Sequence, residues 1–119
     1  MAFDVNLMLR KASDGAITGN TNGTTKDFGA GDRLPVTYEL NCSAASGTSP
    51  TLDVKIQESD DGSTWRDFIN FKQITGKGVS YVTGKSDARY RRAVFTVGGT
   101  SPNFTVSLGP VAGGLGGKY

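Results

Sequence analysis

Apolar residues stand at every second position in short runs along this chain, and glycine breaks the runs apart. Leu34, Val36, Tyr38 and Leu40 alternate with Pro35, Thr37, Glu39 and Asn41. Leu52, Val54 and Ile56 alternate with Asp53, Lys55 and Gln57, and Phe104, Val106 and Leu108 repeat the pattern near the end. A period of two sends successive side chains to opposite faces of an extended strand, so each run predicts a strand with one buried face. The 17 glycines in 119 residues disfavour helices and suit turns between strands. The pattern defines an all-β chain.

The remaining segments fit that class. Phe3, Val5, Leu7 and Leu9 alternate with Asp4, Asn6 and Met8, which favours a strand over a short helix that the Phe3–Leu7 spacing also allows. Residues 13–32 are glycine-rich and polar and read as a long loop with room for one short strand, anchored by Ile17 and Phe28. Residues 43–50 read as a second loop. Trp65, Phe68, Ile69 and Phe71 fit two short strand pieces around a bend, residues 76–78 a turn, and residues 79–83 a short strand. The strongest run, 88–97, has awkward parity. Tyr90 and Val94 share one face, and Ala93, Phe95 and Val97 the other. Either a bulge near Arg91 and Arg92 brings Tyr90 round, or both faces are covered. Residues 98–102 then read as a hairpin loop before the returning strand.

About seven or eight short strands at this spacing predict a single immunoglobulin-like β-sandwich, with a small barrel or jelly roll as the alternative. The domain spans residues 1–108, with the long loop at 13–32. Residues 109–119 form a glycine-rich tail that orders only by docking. No internal repeat is recognised, which sets propellers and solenoids aside.

Charge and rare residues narrow the function. The net charge is +2 with no polybasic run, so no nucleic-acid partner is expected. Arg89, Arg91 and Arg92 form the one basic cluster. Such residues either pair with Asp87, Asp53 or Glu58 on strand faces or meet an acidic partner. There is no histidine, which removes Ser-His-Asp and Cys-His catalysis and most zinc sites. The single Cys42 forms no internal disulfide and reads as a small buried residue of a protein folded in a reducing cytoplasm. The start is not a secretory signal, and no apolar run is long enough to cross a membrane. No catalytic residue, cofactor or metal is expected, and the chain reads as a non-enzyme.

One stretch invites a chemical reading. Residues 58–65 read Glu-Ser-Asp-Asp-Gly-Ser-Thr-Trp. Asp60 is expected to accept amides across a turn, Gly62 to supply a positive φ, and Trp65 to cap the hairpin. A calcium site from Glu58, Asp60 and Asp61 would need more oxygens than this pattern supplies. Asp60, Gly62, Thr64 and Trp65 resemble the Asp box of sialidases and related propeller proteins, with Glu58 where that family has serine. The resemblance covers about eight residues and implies a structural turn remote from catalysis.

A second resemblance is broader. The run from Leu52 through Phe68 and the run from Ala88 through Gly109 resemble small β-sandwich virion proteins of tailed bacteriophages, most closely capsid decoration, or cement, proteins. That resemblance implies a structural protein made in the host cytoplasm and placed on the outer capsid surface. There it would bind the major capsid protein, as a homo-oligomer, and stabilise contacts between subunits. The expected docking residues are Phe3, Leu7 and Met8 in the N-terminal segment, Arg89, Arg91 and Arg92, and Val111, Leu115 and Tyr119 in the tail. The alternatives are a tail-tube or neck protein, and a carbohydrate-binding or adhesive module using Tyr81, Tyr90 or Trp65.

Overall fold

The computed structural model describes residues 8–27, 35–85 and 88–111. The fold is nearly all β, as the alternation predicts. It comprises β1 (Thr21–Asn22), β2 (Lys26–Asp27), β3 (Val36–Ser59), β4 (Arg66–Asn70), β5 (Gly78–Gly84) and β6 (Tyr90–Pro110), preceded by one 3-10 turn at Ala12–Asp14. All six strands belong to one antiparallel sheet.

The organising feature is the pairing of β3 with β6 along almost their whole lengths, from Tyr38 opposite Pro110 to Ser59 opposite Tyr90. An extended strand of this length spans roughly 80 Å at about 3.3 Å per residue. The longest dimension of the molecule is 44 Å, so the paired strands must bend. They bend together near residues 46–51 and 98–103. The bend divides them into a first limb, residues 36–46 with 103–110, and a second limb, residues 51–59 with 90–98.

The corner explains two departures from the sequence reading. Residues 43–50 and 98–102 were expected to be loops. Instead the strands run through both segments, and the ladder shifts register at Cys42/Ala44, Ser46/Thr48 and Thr48/Thr51. The cause is a tetrapeptide that occurs twice, Gly-Thr-Ser-Pro at residues 47–50 and again at 99–102. Both glycines have positive φ, 119° at Gly47 and 96° at Gly99, and both serines do too, 48° at Ser49 and 50° at Ser101. The contacts are reciprocal. A Cβ on Gly47 would lie 2.7 Å from the Ser101 carbonyl oxygen and 2.9 Å from that of Thr100, and one on Gly99 would meet the Ser49 and Thr48 carbonyls. Two backbones cross here at a distance only glycine allows. The motif is therefore a small internal repeat around an approximate two-fold, and the expectation of no repeat is corrected. Leu52, Val54 and Ile56 follow the first copy at the same spacing as Phe104, Val106 and Leu108 follow the second, and all six are buried.

Short elements complete the limbs. On the first limb, β5 pairs with β3 from Val36–Gly84 to Cys42–Gly78. On its other side Arg10 bridges Leu108 and Ile17 bridges Phe104. On the second limb, β4 pairs with β3, while β1 and β2 pair with β6. The part of the long N-terminal loop that is described is thus stitched along β6. Ile17 serves as its expected anchor, at 1% exposure, while Phe28 lies outside the described residues.

One core serves both limbs. Tyr38, Leu40, Cys42, Phe104, Val106 and Leu108 of the first limb share a cluster with Leu52, Val54, Ile56, Ala93 and Phe95 of the second. Burying this apolar surface is the main favourable term holding the folded sheet together. The parity problem at 88–97 resolves without a bulge there. Arg91, Ala93 and Phe95 point inward, and Tyr90 is half-buried on the other face, 3.9 Å from the Cβ position of Gly62. An arginine at an apolar position had disguised a regular strand. Cys42 is buried, as expected, and burial pushes its thiol pKa up.

Candidate functional site

The three arginines do not converge on one surface. Arg89 binds both oxygens of Asp27, at 2.8 and 2.7 Å, and lies 5.4 Å from the Tyr90 ring centroid. These contacts raise its pKa, mainly through the hydrogen bond to Asp27. Arg91 is 5% exposed. It donates to the Tyr38 hydroxyl and stacks 5.6 Å from the Phe68 centroid. The Tyr38 phenol pKa is raised because burial outweighs the attraction of Arg91. Arg92 donates to Gln57 at 3.0 Å and stacks over Trp65 at 4.3 Å. Each is thus engaged within the fold, and of the three Arg91 is the one turned into the core.

The 58–65 stretch is a side-chain-capped turn. Asp61, rather than the expected Asp60, accepts the amides of Ser63 and Thr64 at 2.8 and 2.9 Å. The buried Ser59 hydroxyl donates to Asp61 and accepts the Gly62 amide at 2.9 Å. The Thr64 amide first, then Ser63 and the Ser59 hydroxyl, draw the Asp61 pKa down to about 2. Glu58 and Asp60 instead face Arg66, with Glu58 at 2.6 Å from its Nε. Gly62 takes the expected positive φ of 80°. Each acidic group already serves the turn or an ion pair, and no group of three or more metal-ligating side chains is found among the described residues.

The two expected docking segments meet the body at one place. Met8 and Val111 are both buried, at 8% and 5% exposure. Leu9 donates to the Leu108 carbonyl at 2.8 Å, and Met8 fills the space beside Gly109. Val111 donates to the Thr37 carbonyl at 2.9 Å. Strand β6 continues past residue 108 to Pro110, and the first limb carries both attachments. Phe3, Leu7, Leu115 and Tyr119 lie outside the described residues.

The aromatics considered for sugar stacking differ in access. Trp65 is half-buried beneath Arg92 and Tyr90 is half-buried, while Tyr81 is 59% exposed with its hydroxyl donating to Glu39 at 2.7 Å. Tyr81 and Val79 are the large hydrophobic side chains most exposed among the described residues. Both lie on β5. Beside it opens a cleft of about 320 Å³, lined by Lys72, Ile74, Lys77, Gly78, Val79 and Ser80. The sequence singled out Tyr81 alone on this strand, as an aromatic for sugar stacking, and not the strand as a whole. The available signal was an uncharged run, Gly-Val-Ser-Tyr-Val-Thr-Gly, framed by Lys77 and Lys85.

Comparison with protein-family models finds no match for this chain, and a search among curated proteins finds none.

Proposed function

We propose that the chain is a non-catalytic structural virion protein, a decoration protein on the outer head surface of a tailed bacteriophage, where it binds the major capsid protein and stabilises contacts between subunits. In this reading the bent sheet is a two-layer sandwich, immunoglobulin-like in general shape, with its limbs as the layers. The observation that carries the proposal is the common attachment of segments 1–7 and 112–119. Both join the body on the first limb, at Met8 beside Gly109 and at Val111 beside Thr37. Two segments rooted together on a rigid body can grip adjoining subunits at once. Repeated over a shell lattice, weak individual contacts become strong through avidity. Among the described residues the only helical turn is Ala12–Asp14, which supports decoration over a tail-tube subunit with a flanking helix.

The test is a density-gradient separation of lysate from the source, with the chain followed by mass spectrometry. Decoration predicts co-migration with very large particles in a copy number comparable to the shell protein. Retention at the top as a small soluble species would refute it.

A further inference from the structure

We propose that β5 is a strand-addition site for an extended segment of a partner polypeptide, uncharged and β-branched in its middle and acidic at both ends. β5 pairs with β3 along one edge, and no described strand pairs with its other edge. An open strand edge offers unpaired backbone donors and acceptors, and proteins usually blunt such edges with charge, proline or a bulge. The seven residues Gly78–Gly84 contain no charge and no proline, and their ladder with β3 has no register shift. Val79 and Tyr81 stand out from the same face at 51% and 59% exposure. Tyr81 is held upright by its bond to Glu39, and Thr83 by a 2.6 Å hydroxyl contact with Thr37. The row is therefore preorganised, and an added strand has less side-chain freedom to remove.

The flanking charges identify the occupant. Lys77 and Lys85 frame the strand, both exposed and without an ion pair among the described residues, and Lys72 joins Lys77 at the cleft beside Gly78. A second copy fits badly. Antiparallel pairing of β5 with itself about Tyr81 would set Lys77 opposite Lys85 of the other copy at both ends, and like charges directly opposite destabilise a pair. A segment with carboxylates at those positions meets a cation at each end. Main-chain bonds then supply affinity and the charged ends supply register and partner choice. The site does not depend on a capsid role, because an acidic-ended strand is its complement whatever protein carries it.

The test uses the full chain and two synthetic peptides with the same alternating Thr-Val core, one ending in aspartate at both ends and one in lysine. The aspartate peptide is expected to bind at least about tenfold more tightly at low ionic strength, with the gap narrowing as salt rises. Amide exchange should slow across residues 78–84. The double variant Lys77→Glu, Lys85→Glu changes only exposed side chains and should reverse the preference. Equal affinity, absence of saturable binding, or protection confined to another strand would overturn the proposal. So would a concentration-dependent dimer protected at β5, which would make the second copy the occupant.

Discussion

The two limbs are built from the same pair of strands, yet they finish their surfaces differently. The second limb closes its own polar face. Lys55 pairs with Asp67, Gln57 links Asp67 to Arg92, Arg92 covers Trp65, Arg66 holds Glu58, and Arg89 clamps Asp27. The first limb carries none of these ion pairs. It carries the roots of the two proposed docking segments, the edge of β5 that no described strand pairs, and the exposed Val79 and Tyr81. Surface ion pairs of this kind add little stability. Their effect is to leave few polar groups seeking a partner, so in the proposed reading it is the first limb that serves as the receiving face.

The sharpest way to break this comparison is to ask whether the limbs are one cooperative unit. Phe104 and Phe95 lie on different limbs in one core, both with no exposed surface. Phe104→Ala and Phe95→Ala should each cost about 3–5 kcal/mol and leave a single denaturant transition. Two separate transitions would show that the limbs fold independently. The corner that joins them is the next point of attack. Gly99→Ala places a methyl against the Ser49 carbonyl at a φ of 96°, and should cost about 2–4 kcal/mol. Gly76→Ala enters open space and should stay within about 0.5 kcal/mol of wild type. Equal effects would mean that the close approach of the two backbones does not constrain the corner.

The capped turn at the far end of the second limb predicts a pH signature. The Asp61 pKa falls from 3.8 to about 2 on folding, so its carboxylate adds stability above its unfolded value and loses it as the pH drops through about 2. Asp61→Ala should lower the Tm at pH 7, and the gap to wild type should close between about pH 4 and pH 2. A gap constant across that range would assign the turn to shape alone. Deleting residues 112–119 should change the Tm least, because Val111 retains its bond to Thr37, while weakening attachment to shells. Unchanged attachment would remove the tail from the docking surface.

The alternation at Val36–Leu40, Leu52–Ile56 and Phe104–Leu108 was legible because one-faced burial writes itself into a period of two. The joining of these runs into two long strands was not. Gly-Thr-Ser-Pro carries the residues of a turn, and the reading followed that local chemistry. Only the reciprocal approach of Gly47 and Gly99 makes it a bend in continuing strands. Arg91 misled for a related reason, since its charge marks an exposed position and its burial depends on Tyr38, 53 residues earlier. The turn at 58–65 was legible as a turn, but the choice of Asp61 over Asp60 rests on which carboxylate reaches the amides. Of the candidate site, the sequence could only suggest the two terminal segments as arms, and most of their residues lie outside the described ones. The shared root of the two segments was not legible, because it depends on how residues 8 and 109 meet in space.

The most direct measurement is amide hydrogen exchange on the chain alone and on the chain bound to purified shells. If the first limb is the receiving face, binding slows exchange in β5, residues 36–42, and the segments flanking Met8 and Val111, while β4 and the 58–65 turn keep their free rates. Protection centred on β4 and the turn, with β5 unchanged, would contradict that assignment.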